Sequence, residues 1–191
     1  MILQAHLPED VPDDAILLAR ISAGEEAALT QLISRHGRVV RAVAARYLSD
    51  ATLAEDIVQE TFLRVWTRAS SFDPDRGQAR SWIFRIATNL CTDRYRRQRL
   101  GFFLGFGPDD PEPEADQPGQ DREYAARQEL DRVRTRIAAL PQRQRMALLL
   151  SAAGGLSTAE IAASMHASPG AVEQLLVRAR RTLRAALDES D

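Results

Sequence analysis

Lysine is absent from this chain: all 25 basic side chains among its 191 residues are arginine, a bias that genome composition explains as readily as function. Cysteine is nearly absent too. Cys91 stands alone, which excludes a disulfide framework and a thiolate metal cluster. The three histidines, His6, His36 and His166, are too far apart for ligand spacing, so neither a metal nor a cofactor is expected. No apolar run approaches the length that membrane insertion requires. The first residues, with Glu9, Asp10, Asp13 and Asp14, lack the basic and apolar parts of a signal peptide, and a cytoplasmic protein is expected. Paired carboxylates, a nucleophile constellation and a glycine-rich phosphate loop are missing as well, so an enzyme with a small-molecule substrate is not expected.

What is present is charge, unevenly distributed. The net charge of −2 conceals two basic blocks. Residues 31–100 carry 13 Arg against 7 acids, and residues 132–187 carry 9 Arg against 2. Between them, residues 101–131 carry 9 acids against 2 Arg, and the first thirty residues carry 6 acids against 1. Two basic blocks separated by an acidic strap suit a nucleic-acid partner better than the average suggests.

The second block ends in the most informative stretch, Ser157 to Leu187. Ser157 followed by Glu160 is a capping box, and Ile161, Ala162 and Met165 give the helix behind it a short apolar face. A turn at His166-Ala167 leads to Ser168-Pro169, an N-cap followed by the position where proline loses no hydrogen bond. In the helix that starts there, Val172, Leu175, Leu176, Ala179, Leu183, Ala186 and Leu187 share one arc. Glu173, Gln174, Val177, Arg178, Arg180, Arg181 and Arg184 lie on the other. Outward arginines on a lone helix are usually only solvated. After a capped helix and a tight turn, they mark the second helix of a helix-turn-helix, which enters the DNA major groove.

Upstream, periodicity predicts a loose tail over 1–12 and a short helix with Ile16, Leu17 and Ile21 inward. A longer helix from Glu25 carries Leu29, Leu32, Ile33, Val40, Val43, Ala44 and Tyr47. The next, from Thr52 to about Ser70, buries Ile57, Val58, Thr61, Phe62, Val65, Trp66 and Ala69. Its far side sets Asp56, Gln59, Glu60 and Leu63 in one stripe, either a solvated face or a dock for a basic helix. A turn-rich loop, Phe72 to Gly77, precedes a helix from Ala79 with Trp82, Ile83, Ile86, Ala87 and Leu90 inward and Cys91 at the margin. Arg85, Thr88, Asn89, Thr92 and Arg96 share its other face, a composition that contacts phosphates and unstacked bases. Residues 101–121 lose all periodicity and read as an extended acidic linker. Phe102, Phe103, Leu104 and Phe106 at its start either cap the first domain's core or face a partner. Helix resumes near Tyr124 with Leu130, Val133 and Ile137, and again over Gln142 to Ala153 with Met146, Leu149 and Leu150 inward.

Three segments together resemble the sigma-70 family of bacterial RNA polymerase sigma factors, specifically the small extracytoplasmic-function (ECF) class. Ala54–Trp66 is similar to that family's core-polymerase-binding segment, Ser81–Arg97 to its minus-ten segment, and Leu140–Leu183 to its minus-35 domain. The resemblance implies an all-α fold of two small helical domains joined by an acidic flexible linker, the second with a helix-turn-helix. The implied divisions are 1–24 for the tail and short helix, 25–100 for the region 2-like domain, 101–123 for the linker and 124–191 for the region 4-like domain. It further implies that Asp56, Gln59, Glu60 and Leu63 dock on core RNA polymerase. Trp82, Arg85, Thr88, Asn89, Thr92 and Arg96 would take the minus-ten element of promoter DNA, Asn89 beside a flipped base. Ser168, Pro169, Glu173, Gln174, Val177, Arg178 and Arg181 would take the minus-35 element. The linker would run through the polymerase cleft, and an anti-sigma factor is an implied partner. The chain departs from the family at Glu173, Gln174 and Leu175, where many members place basic residues and a serine. A stand-alone helix-turn-helix regulator with an N-terminal dimerisation or sensing module is the alternative, but it would need neither the acidic stripe nor a second base-reading face.

Overall fold

The computed structural model describes residues 13–103 and 121–188. The expected tail 1–12, most of the linker, and Leu104 and Phe106 lie outside the described residues. Among the described residues there are eight α-helices and no strand: α1 (Asp14–Ser22), α2 (Glu26–Leu48), α3 (Ala51–Arg68), α4 (Ala79–Phe103), α5 (Asp121–Ala139), α6 (Gln142–Ala152), α7 (Thr158–Ser164) and α8 (Pro169–Asp188). Two short 3-10 turns, Ala69–Ser71 and Pro74–Arg76, fill the connection from α3 to α4. Helix α4 continues to Phe103 and α5 begins at Asp121, so helix extends into both ends of the span read as linker.

Local chemistry explains the boundaries. Ser49 adopts a left-handed conformation that closes α2, and the Asp50 carboxylate accepts the Leu53 N–H at 2.9 Å to open α3. Asp73 does the same for Asp75 at 3.0 Å in the loop before α4. Helix α1 is anchored by the buried side chains Leu17, Leu18 and Ile21 and, at its first residue, by a carboxylate. The Asp14 carboxylate, bonded to Arg35 at 2.8 Å and to His36 Nε2 at 2.6 Å, pins it to α2. Burial alone would raise the Asp14 pKa, but these two partners outweigh it and hold the carboxyl below its usual range.

One core lies under α1, where Leu17, Leu18 and Ile21 meet Ala28, Leu32, Phe62, Val65 and Ile83. Ile16, expected inward, is instead 54% exposed, and Leu18 takes its place. The second core is continuous across the two halves of the chain. Val40, Tyr47, Ile57, Phe84 and Leu90 from α2–α4 join Met146, Leu149, Leu150, Ile161, Val172 and Leu176 from α6–α8. The C-terminal half is thus seated on the N-terminal half by apolar packing, which neither periodicity nor linker composition reveals. Cys91 sits inside this core rather than at its margin, and burial pushes its thiol up to about 12. The turn from α6 to α7 is close-packed: a Cβ on Gly154 would lie 2.5 Å from the Leu150 carbonyl oxygen, and Gly155 has a positive φ of 58°.

Candidate polymerase and nucleic-acid interfaces

Helix α3 buries Ala54, Ile57, Thr61, Phe62 and Val65. The Thr61 hydroxyl is satisfied by the Ile57 carbonyl at 2.6 Å, which is how a polar side chain fits that face. The same rotation sets Asp56, Gln59 and Leu63 outward with Glu60 half-buried, Leu63 being 56% exposed among polar neighbours. The stripe is less acidic than its sequence suggests. Glu60 accepts from Arg64 one turn on at 2.6 Å. Asp56 and Glu60 also line a 170 Å³ depression together with Arg64, Arg94 and Arg97. Two of those arginines come from α4, so the carboxylates face cations of their own chain, and Leu63 is the uncompensated apolar centre.

The residues of α4 expected to share a face are divided by the fold. Trp82 and Arg85, both half-buried, line a 310 Å³ recess with Ser71, Phe72, Asp73, Arg76, Gly77, Gln78, Ser81 and Ala163. Phe72 meets Trp82 edge-on with centroids 5.8 Å apart. The face of one aromatic ring beside guanidinium, amide and carboxylate groups can stack a heterocycle and bond its edge. Asn89 and Arg96 are exposed. Thr92 is half-buried and bonded back to the Thr88 carbonyl at 2.8 Å. Thr88 is buried, because α7 lies over it: its single hydroxyl proton is shared between the Arg85 carbonyl at 3.1 Å and the Ser164 carbonyl at 3.0 Å. Sequence reasoning missed Phe72, Arg76 and Gln78. The available signal was an aromatic residue opening a polar loop that leads straight into Trp82.

In the helix-turn-helix, the Ser157 N–H donates to the Glu160 carboxylate at 2.8 Å and the Glu160 N–H to the Ser157 hydroxyl at 3.3 Å, completing the capping box. Burial would raise the Glu160 pKa, but these bonds and Arg80 hold it below its usual range. His166 turns the chain with a φ of 49°, and Ser168 accepts from Ala171 N–H at 3.2 Å to start α8. Val172, Leu176 and Ala179 are buried; Ser168, Pro169, Glu173, Gln174, Arg178 and Arg181 are exposed, as is Val177 at 57%. Leu175 is half-buried on the packed side. Among the described residues, no group of three or more His, Cys, Asp or Glu side chains could hold a metal ion, and no helix is long and apolar enough to cross a membrane.

Among the described residues, which are helical throughout apart from turns, a helix-turn-helix stands in one half and an aromatic, arginine-edged recess in the other. Residues 32–100 match Sigma-70 region 2, and residues 130–183 match Sigma-70, region 4. The chain is 39% identical over 188 residues to the RNA polymerase sigma factor CnrH of Cupriavidus metallidurans, covering 95% of this chain and 96% of that one. It is 34% identical to the ECF RNA polymerase sigma factor SigL of Mycobacterium tuberculosis, covering 90% and 97%. The solved structure of CnrH in complex with the cytosolic domain of CnrY superimposes with a TM-score of 0.72 at 34% identity, covering 93% of this chain and 99% of that chain. That of the sigma factor RpoE in complex with the anti-sigma factor NepR from Bartonella quintana gives 0.64 at 26%, covering 83% and 96%. The chain belongs to the sigma-70 family, as an ECF sigma factor. It is a transcription initiation factor that binds core RNA polymerase and directs it to promoters. The alternative of a stand-alone regulator does not fit the region 2 match.

Proposed function

We propose that the three surfaces divide the work of promoter recognition. Asp56, Gln59, Glu60 and Leu63 dock on a helical element of core polymerase, with Leu63 as the apolar centre and the carboxylates exchanging Arg64, Arg94 and Arg97 for basic groups of the partner. Trp82 and Arg85, with Asn89, Arg96 and, once uncovered, Thr88 and Thr92, take the unwound minus-ten strand. The recess they share with Phe72 and Gln78 receives a base that has left the stack. The outward arc of α8, from Ser168 and Pro169 through Glu173, Gln174, Val177, Arg178 and Arg181, enters the minus-35 major groove. Glu accepts from cytosine there, Gln pairs with adenine and Val177 meets a thymine methyl. Residues 25–100 and 124–191 are the two working bodies and 101–123 the connection between them. The protein acts in the cytoplasm, and an anti-sigma factor holds it in check, as the complex of the related RpoE with NepR suggests.

The observation that carries this reading is α8, whose apolar arc is packed against its own domain while its whole polar arc faces solvent. Run-off transcription with purified core polymerase on a library of promoter fragments tests it. Promoter-selective transcripts are expected from the wild type, and none from a variant carrying Asp56→Arg and Glu60→Arg, which should keep its helicity and lose co-purification with core polymerase. Undiminished polymerase binding by the double variant would overturn the docking assignment, and the absence of selective transcripts from the wild type would overturn the function.

A further inference from the structure

Helix α1 precedes the residues that match Sigma-70 region 2. Its buried side chains nevertheless meet both roots of the loop that walls the Phe72 and Trp82 recess. Leu17, Leu18 and Ile21 share one apolar cluster with Ala69, which precedes the loop, and with Ala79 and Ile83, which follow it. Ala15, Phe72 and Trp82 pack at the edge of the same cluster. Ala69 and Ala79 are buried, while every residue from Asp73 to Gln78 is exposed. The loop is gripped at its two ends and open between them.

It is also thin. Phe72, Gly77 and Gln78 line both the 310 Å³ recess and a separate depression of 580 Å³, whose lining continues with Asp13, Asp14 and Ala15 at the start of α1. A wall shared by two spaces has few packed neighbours, so its position depends on its ends. The depression itself does not suit DNA, because Asp13 and Asp75, both exposed on its lining, repel a phosphodiester. Any influence of α1 on a bound strand must therefore pass through the loop.

Two carboxylates tie α1 down, one at each end. At the end beside the loop, Asp14 is bonded to Arg35 at 2.8 Å and to His36 at 2.6 Å, and the buried His36 ring stands edge-on to Phe84 of α4 with centroids 6.1 Å apart. At the other end, Glu25 pairs with Arg20. Only the first tie joins α1, α2 and α4 next to the recess.

We propose that α1 is the buttress of the base-reading loop, and that Asp14, without touching DNA, is the positioning residue that holds Phe72 where it can wall a flipped base. The proposal rests on the reading of the recess as the base site, and two measurements keep the two apart. The first needs no DNA. Trp66→Phe leaves Trp82 as the only tryptophan of the full chain. In that background Asp14→Ala should shift Trp82 emission to the red and make it more readily quenched by acrylamide, whereas Glu25→Ala, which cuts the tie remote from the loop, should change neither. Unaltered Trp82 emission in Asp14→Ala, or an equal change in Glu25→Ala, overturns the buttress.

The second measurement is open-complex formation by core polymerase reconstituted with each variant, on the promoter fragment most transcribed by the wild type, followed by permanganate reactivity. Asp14→Ala should slow melting about fivefold, the scale of one lost hydrogen bond, and Phe72→Ala about tenfold, the scale of one lost base stack. Residues that act through one element are not additive, so the double variant should melt no more slowly than Phe72→Ala alone. A double variant slowed about fiftyfold, the product of two independent effects, overturns action through the loop. So does normal melting by Asp14→Ala beside a slow Phe72→Ala. If Asp14→Ala fails to fold, Asp14→Asn, which keeps the shape and one acceptor, is read by the same signs at about twofold. Normal melting by Phe72→Ala would instead overturn the recess reading on which the proposal rests.

Discussion

Replacing Arg145 by methionine should make this protein more stable, although it deletes a buried side chain with two aromatic contacts. Each cation-ring contact is worth up to ~2 kcal/mol in a desolvated setting, so Tyr47 and Tyr95 together account for ~2–4 kcal/mol. The bond to the Ala138 carbonyl adds ~1.5–3 kcal/mol. Against these stand the burial of an unpaired charge, several kcal/mol even after relaxation, and two donor nitrogens, Nε and Nη2, without acceptors at ~1–3 kcal/mol each. Methionine has a comparable reach, fills irregular gaps and keeps a favourable sulfur contact with both rings, so little packing is lost. Exchange of a buried ion for apolar packing is commonly neutral to stabilising by ~1–4 kcal/mol, and a gain of ~1 kcal/mol is expected here. In urea, with a slope of ~2.5 kcal/mol per molar, that moves the unfolding midpoint up by ~0.4 M. Arg145→Ala, which leaves a cavity, should go the other way by ~2–3 kcal/mol. Circular dichroism across a urea series on the full chain measures both. A methionine variant less stable than wild type by more than ~1 kcal/mol would show that the ring contacts outweigh the burial cost, and the picture of a sparsely satisfied cation would be wrong.

Three further outcomes are expected. Phe72→Ala and Trp82→Ala should each slow open-complex formation, followed by permanganate reactivity of the melted bases, while duplex retention by polymerase is unchanged; normal melting in both would remove the recess from the mechanism. Glu173→Ala should relax base preference at one or two minus-35 positions by ~1–3 kcal/mol each, whereas Arg181→Ala should weaken all sequences alike and lower the salt slope. Selection from randomised duplexes distinguishes the two, and identical preferences in wild type and Glu173→Ala would make Glu173 a solvated charge. Because the folded state holds the Asp14 carboxyl below its usual range, its ionised form stabilises the fold above the unfolded pKa of about 4. That contribution is lost as pH falls through the lower folded value. Urea midpoints between pH 5 and pH 3 should therefore fall less steeply in Asp14→Asn than in wild type, and equal slopes would refute the contribution.

The helices themselves were legible because their information is local. The Ser157 and Glu160 box, the Ser168-Pro169 start and the apolar spacing of α8 depend on neighbours three or four residues away, and all appear where the periodicity puts them. The packing of α7 on α4 was not legible, because its partners lie 76 residues apart for Thr88 and Ser164, and 74 and 80 for the two contacts of Arg80. A helical wheel assigns Thr88 to a polar face; only the arrival of α7 makes that face interior. For the same reason Arg145, which any wheel would turn to water, is buried, and Phe84 was overlooked as core. The acidic stripe on α3 was visible, but not the arginines that α4 brings against it. Of the three apolar positions read on α5, Leu130 is exposed, while Ile137 packs against the core as expected.

The shared core also bears on how the protein can be dissected. Val40, Tyr47 and Leu90 on one side and Met146, Leu150 and Leu176 on the other complete a single apolar cluster. A fragment ending in the linker would carry half of that cluster bare, as would a fragment beginning after it. Each piece should therefore be poorly soluble alone, bind the dye ANS, and be rescued by adding its counterpart in trans. A protease cut between residues 104 and 120 should nick the chain without separating it, the two pieces eluting together until denaturant parts them.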